Sequence, residues 1–176
     1  MSDEARGLRA YLQQKRDAMR AAAGQKPNGD DWRETVQATC VADDATGVRK
    51  MTTEGWTFIG DSGPDFGGWG LGPSSPSLLC GMLSTCLTHT YLIAAAWFDI
   101  PVDRVEVTVS AQNNDAHLLD IASEDPDTPF DITVTVKLDA PDATEYEIET
   151  LHGFTQQRCP LTNLIRSRNE VTFVVE

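Results

Sequence analysis

Apolar positions near the start of the chain recur with the period of a helix. Leu8, Leu12 and Met19 fall roughly on one stripe of residues 3–23, and the basic side chains lie elsewhere, which predicts an amphipathic helix. We expect this helix to pack on the body of the protein or on a partner subunit; the alternative is a nucleic-acid contact through its basic residues. Residues 1–30 are therefore interpreted as a helical extension ahead of a main domain, residues 31–176.

A two-residue alternation of apolar and polar positions then predicts three strands. They span residues 33–41, 46–52 and 56–60. Consecutive strands pair most simply as an antiparallel meander, so we expect one here. Cys40 falls among the apolar positions of the first strand, and we interpret it as a small core residue.

The longest apolar stretch, residues 77–98, carries no formally charged side chain. A membrane span takes about 20 apolar residues, so a span is the first interpretation to test. Polar side chains in the middle of the stretch, and the lack of Lys or Arg near either end, argue against insertion into a bilayer. We predict instead a helix buried on all sides within a globular protein.

Three side chains of this helix share one face. At 100° per residue, His89 lies about 60° and Thr90 about 40° around the helix from Cys86. A thiol, an imidazole and a hydroxyl along one line make a candidate site. The alternatives are that Cys86 is an inert core thiol and His89 a core or interface histidine. Cys80 faces another surface, and although Cys-x-x-His spacing permits a metal, we expect none.

Alternation returns after the long helix. It predicts strands at residues 103–110 and 132–138, a short strand at 118–122 and a last strand at 171–175. Residues 141–158 have a helical pattern. Because helices interrupt the strands rather than alternate with them, the predicted fold class is α+β.

Cys159 lies where two predicted helices meet. Pro160 cannot continue the helix before it but suits the first position of a helix over residues 161–165. Unpaired amide groups at a helix start favour a thiolate over a thiol. Cys159 is therefore a second candidate reactive cysteine.

A loop rich in glycine and proline, residues 60–76, leads into the long helix. Its Phe66 and Trp69 could cover the mouth of a pocket, and a plain linker between two halves of the domain is the alternative.

Composition places the chain among soluble globular proteins. Hydrophobic residues make up 40% and charged residues 23% of 176 residues, which suits one main domain. The net charge of -13 argues against binding to nucleic acid or to an anionic membrane. The acidic start lacks the apolar segment of a secretory signal, so we expect a cytoplasmic protein with free or redox-active thiols.

Four motifs follow one another in a specific order. After the meander come the glycines and Pro-Ser of residues 67–74, and then LLxxxLxxCLT, which contains Cys86. The strand sequence PVDRVEVTV at residues 101–109 and CPLTNLI at residues 159–165 come next. In their order and spacing, over roughly residues 33–176, these motifs resemble the OsmC/Ohr family of thiol peroxidases.

The resemblance implies an OsmC-like fold and an intertwined homodimer, in which strands of one subunit complete the sheet of the other. It implies that Cys86 is the peroxidatic thiolate, which attacks an organic hydroperoxide or hydrogen peroxide. Cys159 would resolve the resulting sulfenic acid as a disulfide, and a lipoyl or other small dithiol reductant would restore both thiols. It implies no cofactor.

The chain departs from the family pattern where the thiolate is activated. In the family, a glutamate at the start of the central helix and an arginine from the first strands hold the thiolate. Here Ser77 stands at the helix start, and no Glu or Asp lies between Asp65 and Asp99. Arg49 is the candidate arginine, and His89, as an imidazolium, is the candidate replacement for the glutamate.

Two functions follow from these observations. The first is thiol-dependent reduction of peroxides through Cys86 and Cys159. The second is a non-peroxidatic dimer that binds a small apolar or thiol-bearing ligand, or that acts as a thiol redox sensor. The paired cysteines favour the first function, and the missing glutamate favours the second.

Overall fold

The computed structural model of the protein describes residues 7–167 and 169–174. Within them, the elements run in chain order as α1 (Leu8–Gln25), β1 (Thr39–Ala42), β2 (Arg49–Thr53), β3 (Trp56–Gly60), α2 (Ser75–Phe98), β4 (Arg104–Gln112), β5 (Phe130–Asp139), α3 (Glu145–Arg158) and α4 (Pro160–Arg166). This composition confirms the predicted α+β class. Residues 3–6 of the first predicted helix and residue 175 of the last predicted strand lie outside the described residues.

The chain divides into two compact units. One, here called the helical unit, comprises the described parts of residues 1–25, 83–109 and 134–176. The other, here called the strand unit, comprises residues 26–82 and 110–133. Both reactive-cysteine candidates belong to the helical unit, and Arg49 belongs to the strand unit.

Helix α1 is part of the hydrophobic core of the helical unit. Leu12 is buried in that core, and Leu8 and Met19 pack against it, which confirms the predicted apolar stripe. The buried members of the core are Leu12, Tyr91, Ala94, Ala95, Ala96, Ile100, Val102, Ala140 and Leu151. Three consecutive alanines on α2 leave room for a neighbouring helix, because a small side chain lets backbones approach closely.

Ion pairs fix α1 at its polar edge. The Arg9 guanidinium bonds Asp103 at 2.5 Å and Asp142 at 2.6 Å, and Arg16 pairs with Asp99. The carboxylates of these pairs are exposed to solvent, so each pair stabilises the docking of α1 only weakly compared with the burial of Leu12.

Helix α2 is the longest element, and by length and composition alone it could cross a membrane. Its second half instead supplies much of the core of the helical unit, where Tyr91 and Ala94 are buried. The prediction that it is buried on all sides was wrong for the single chain, since Leu79 and Met82 are each 38% exposed. An apolar sequence pattern indicates that a helix face is buried, but it does not indicate whether the same chain or a second chain buries it.

The strand unit contains the predicted meander. Strands β1, β2 and β3 pair antiparallel in sequence order, with Cys40 opposite Met51 and Met51 opposite Phe58. The first strand is shorter than predicted, and residues 33–38 have no regular structure. All four residues of β1 are exposed, so the interpretation of Cys40 as a core residue was wrong.

Strands β4 and β5, at the predicted positions, form a separate two-stranded sheet. The short strand predicted at residues 118–122 is wrong, because Ala116–Leu119 is a 3-10 helix. Residues 171–174 of the last predicted strand have no regular structure and are exposed in the single chain. Their alternating apolar pattern has no partner strand among the described residues to pair with.

Helix α3 begins later than predicted because Thr144 caps it. The Thr144 hydroxyl accepts the Glu147 amide, and the Glu147 carboxylate accepts the Thr144 amide at 2.7 Å. This reciprocal capping box fixes the helix start. Helix α4 has Pro160 at its first position, as predicted.

Candidate functional site

The structure brings the two candidate cysteines together. The Sγ atoms of Cys86, in the middle of α2, and Cys159, between α3 and α4, lie 3.5 Å apart. Their positions are 73 residues apart in the sequence. A van der Waals contact between two sulfurs leaves only a small movement before a disulfide can form.

Cys159 is held by the backbone of both flanking helices. Its amide donates to the Thr155 carbonyl at 3.0 Å, and its carbonyl accepts the Asn163 amide at 3.0 Å. Its extended backbone, with ψ at 115°, makes the turn that ends α3 and begins α4. The predicted position at a helix junction is therefore confirmed.

The two thiols differ in exposure and in acidity. Cys86 is partly exposed, whereas Cys159 is completely buried. Burial raises the pKa of Cys86 above its usual value. Burial alone would also raise the pKa of Cys159, but hydrogen bonds from the amides of Thr162 and Leu161 and from Cys86 outweigh it and lower that pKa.

Thr90, whose hydroxyl was predicted on the same face as Cys86, hydrogen-bonds to the backbone of its own helix. It is buried, and its Oγ1 donates to the Cys86 carbonyl at 2.9 Å. A hydroxyl that bonds back to the preceding turn is satisfied within its own helix. Thr90 therefore contributes to the local geometry of α2 at Cys86.

His89 lies against α1. Its Nε2 is 3.2 Å from the Lys15 Nζ, and its ring is on an exposed position of α2. Partial burial, and then the positive charge of Lys15, lower the pKa of His89 below its usual value. These observations favour a neutral imidazole and do not support the imidazolium expected from the sequence.

A second polar pair crosses between α2 and α3. The Tyr91 hydroxyl is 2.7 Å from Nδ1 of His152, and the two rings meet edge to face with centroids 5.6 Å apart. Tyr91 is buried, and burial raises the pKa of its hydroxyl. This pair fixes α3 against α2 one to two turns from the cysteines, and no periodic pattern in the sequence predicted it.

Arg49, the candidate arginine, lines a cavity of the strand unit. The cavity measures about 240 Å³, and its walls include Ser62, Phe66, Ser74 and Asp115. Arg49 Nη1 donates to Ser62 Oγ at 3.2 Å, and its positive charge helps to lower the pKa of Asp61. Phe66 belongs to this cavity wall, whereas Trp69 does not.

The start of α2 carries hydroxyls where the family has a carboxylate. Ser74 Oγ is 3.0 Å from Ser77 Oγ and accepts the Ser77 amide at 3.4 Å. Neither side chain can carry a negative charge at neutral pH, so neither reproduces the glutamate.

Sequence reasoning missed Asp61, which organises the glycine-rich loop. This buried carboxylate accepts the amides of Ser62 at 2.8 Å and of Trp69 and Leu71, each at 3.0 Å. Those bonds, led by the one from Leu71, lower the pKa of Asp61. The available signal was an acidic residue directly after a strand and directly before a loop rich in glycine, since such a loop exposes many unpaired amides.

The described residues contain no cluster of three or more His, Cys, Asp or Glu side chains that could hold a metal ion. Cys86 and Cys159 themselves form a pair of thiols in contact. Two adjacent thiols, one of them with a lowered pKa, can be oxidised to a disulfide and reduced again.

Comparisons with known proteins agree on the fold. The structure of an OsmC-like protein from Mycoplasma pneumoniae has a TM-score of 0.63 and 16% identity, over 76% of this chain and 88% of its own. An organic hydroperoxide resistance protein OsmC from Legionella pneumophila has a TM-score of 0.54 and 19% identity, over 76% and 90%. An organic hydroperoxide resistance protein from Elizabethkingia anophelis has a TM-score of 0.52 and 17% identity, over 76% and 89%.

Sequence comparison gives the family. A search of the curated proteins finds no match to the sequence. The family described as OsmC-like protein matches residues 67–174, which is more than half of the chain and includes both Cys86 and Cys159. Because these residues also adopt the fold of solved OsmC-like proteins, the chain belongs to the OsmC-like protein family.

Proposed function

We propose that the protein is a thiol-dependent peroxidase that reduces organic hydroperoxides or hydrogen peroxide through Cys86 and Cys159. The observation that carries the proposal is the 3.5 Å separation of the two sulfurs. The organic hydroperoxide resistance proteins among the structural neighbours support the choice of substrate class.

The reaction balances with two thiols and one peroxide. Cys86, the partly exposed thiol, attacks the peroxide O–O bond, so that an alcohol leaves, or water in the case of hydrogen peroxide, and Cys86 becomes a sulfenic acid. Cys159 then forms a disulfide with Cys86, and the sulfenic oxygen leaves as water. An external dithiol of the lipoyl type returns both cysteines to thiols.

We further propose that the protein works as a homodimer in the cytoplasm, as part of an oxidative-stress response. Support for the dimer comes from large apolar side chains that the single chain leaves exposed. They are Val36, Trp56, Val171, Phe173 and Val174. Large exposed apolar side chains, where they form a patch, mark a protein–protein interaction site. Sedimentation of the reduced protein at several concentrations should give twice the 19.3 kDa chain mass, and a monomer at micromolar concentration contradicts the dimer.

The peroxidase is tested by following thiols during oxidation. Reduced protein is mixed with cumene hydroperoxide or hydrogen peroxide while free thiols are counted, and the product is mapped by mass spectrometry. We expect two thiols lost per peroxide and a Cys86–Cys159 disulfide. The matched control is Cys80→Ser, because Cys80 is another partly exposed thiol on α2 and its removal should leave the reaction unchanged. Thiol loss no faster than that of free cysteine contradicts the proposal.

A second function is favoured by the start of α2. With Ser74 and Ser77 in place of a carboxylate, and with Arg49 bonded to Ser62, no charged clamp of the family type is assembled among the described residues. In that case the protein binds a small apolar or thiol-bearing ligand and uses the cysteines as a redox sensor. Slow oxidation by peroxides, together with saturable binding of such a ligand to the reduced protein, would select this second function.

A further inference from the structure

Helix α1 brings a basic side chain to the middle of α2. It lies outside residues 67–174, the part of the chain that matches the family, and its Lys15 Nζ is 3.2 Å from the His89 Nε2. The same ammonium lies over the Tyr11 ring, 5.9 Å from the ring centroid, and the buried Leu12 fixes α1 in this position. The chain therefore adds a positive charge to α2 from outside the matched region.

This contact determines which nitrogen of the His89 ring carries the proton. An ammonium group has only donors, so Lys15 donates and the His89 Nε2 accepts. In a neutral imidazole one nitrogen accepts and the other carries the proton, so the proton of His89 lies on Nδ1. The pKa of His89, lowered by burial and then by Lys15, agrees with a neutral ring. His89 can therefore give a proton through Nδ1 and take one back through Nε2.

His89 and Cys86 are neighbours on the surface of α2. They lie three residues apart within one continuous α-helix, and this spacing puts Cβ atoms about 5–6 Å apart. Both positions reach solvent, since Cys86 is partly exposed and His89 is exposed. A peroxide that approaches the thiol from solvent therefore meets the imidazole as well.

We propose that Lys15 and His89 form a proton relay for the reaction at Cys86, in which His89 protonates the oxygen that leaves the peroxide and Lys15 returns a proton to the ring. His89 is then a catalytic residue, and Lys15 is a positioning residue that acts through it. The inference rests on the proposed peroxidase and adds the source of the proton. No imidazolium is required, because the ammonium behind a neutral ring holds the proton instead.

The steps balance in atoms and charge. Cys86 releases its proton to solvent, and its thiolate attacks the outer oxygen of the hydroperoxide, so that an S–O bond forms and the O–O bond breaks. The departing alkoxide takes the Nδ1 proton of His89 and leaves as an alcohol, while Nε2 takes a proton from Lys15. Solvent returns one proton, which restores the Lys15 ammonium and the starting tautomer of the ring. One sulfur is oxidised to a sulfenic acid, and one peroxide is reduced to an alcohol.

The tautomer of His89 is the first test, and it needs no peroxide. In nitrogen-15 NMR of the reduced protein near neutral pH, we expect a protonated Nδ1 and an unprotonated Nε2. Lys15→Met should remove this preference, and Lys15→Arg should keep it, because a guanidinium also has donors only. A wild-type ring with its proton on Nε2 would overturn the inference, since Lys15 could not then donate to it.

The leaving group of the oxidant is the second test. Cumene hydroperoxide releases an alkoxide, which needs a proton, whereas peracetic acid releases acetate, which does not. His89→Gln should slow sulfenic acid formation at Cys86 by cumene hydroperoxide roughly a hundredfold, as expected for the loss of a general acid, and should leave the reaction with peracetic acid unchanged. Lys15→Met should slow the first reaction by a smaller factor, with partial recovery in Lys15→Arg.

Arg20→Gln is the matched control, because Arg20 is an exposed basic residue of the same helix and its loss changes the net charge equally. This variant should react like the wild-type protein with both oxidants. Equal slowing of both oxidants in His89→Gln, or slowing of neither, would overturn the relay and leave the peroxidase intact. A wild-type protein that reacts with cumene hydroperoxide no faster than free cysteine would overturn the peroxidase, and the relay with it, so the two failures are distinguishable.

Discussion

Thr155 lies one helical turn before Cys159 and is 1% exposed. Its hydroxyl has no hydrogen-bond partner among the described residues. A buried hydroxyl without a partner costs about 1–3 kcal/mol of stability. Protein interiors contain few such groups, and each one calls for an explanation such as a redox or catalytic role.

Thr155→Val should therefore stabilise the protein. Valine has nearly the same shape without the hydroxyl, so we expect the free energy of unfolding in guanidinium to rise by about 1 kcal/mol. The control is Thr150→Val on the same helix, because the Thr150 hydroxyl donates to the Tyr146 carbonyl at 2.8 Å and its loss should not stabilise the protein. A destabilised Thr155→Val protein would show that this hydroxyl has a partner in solution.

His89 should make stability depend on pH. Its pKa in the folded protein is below the usual 6.5, chiefly through burial and then through Lys15, so the unfolded chain binds more protons between those two values. Stability therefore rises as the pH increases through that window, and it is lower on the acid side. Lys15→Gln should raise the His89 pKa, measured by NMR titration of the ring proton.

At this scale, the sequence identified the two candidate cysteines but not the residues that surround them. Cys159 could be placed because proline after cysteine is a local signal of a helix start. His89 could not be assigned, because angles around one helix do not say which other helix brings Lys15 to the ring. Cys40 was misassigned because alternation in a short strand indicates a sheet and not that a second layer covers it.

At the scale of elements, the glycine-rich loop of the strand unit is held by close backbone contacts. A Cβ at Gly68 would overlap the carbonyl oxygen of Ser62, and one at Gly72 would lie 2.7 Å from the Ile59 oxygen. Such contacts are possible only without a side chain. Together with the three amides on Asp61, they fix the path of the chain from β3 to α2.

Gly68→Ala should disrupt this loop. The backbone of Ser62 must move to admit a methyl group, which we expect to cost about 1–3 kcal/mol in denaturant unfolding. The matched control is Gly63→Ala, since Gly63 has φ at -73° and open space around its Cβ position. That variant should unfold at the same denaturant concentration or slightly above it. Equal stability of the two variants would mean that the loop can rearrange around Gly68.

Elements with strong local signals were predicted well. Among the described residues, the second and third meander strands, both long strands and helices α1 and α3 lie at or near the positions that alternation and helical period indicated. Of the first predicted strand, only residues 39–41 form a strand. The boundaries moved where a cap decides them, as at Thr144. The strands predicted at 118–122 and 171–175 could not be judged from pattern alone, since a strand needs a partner and pairing is not local.

For the whole molecule, residues far apart in the chain meet in one site that only the fold creates. Cys86 and Cys159 are 73 positions apart, and a disulfide between them would close one long loop. Cross-linking restricts the unfolded chain far more than the folded one, and more so for longer loops.

Oxidation of the pair should therefore stabilise the protein strongly. For a loop of this length the chain-entropy model gives a gain of roughly 4 kcal/mol in the free energy of unfolding. The folded state should not reduce this gain much, because it already holds the two sulfurs 3.5 Å apart. Guanidinium unfolding of the oxidised and reduced proteins measures the difference. In Cys86→Ser, the same oxidant should leave the unfolding midpoint unchanged. If the oxidised protein is no more stable than the reduced one, either the fold strains the disulfide or the two sulfurs do not pair. Treatment of the oxidised protein with increasing dithiol separates these two cases, since a strained disulfide is reduced easily.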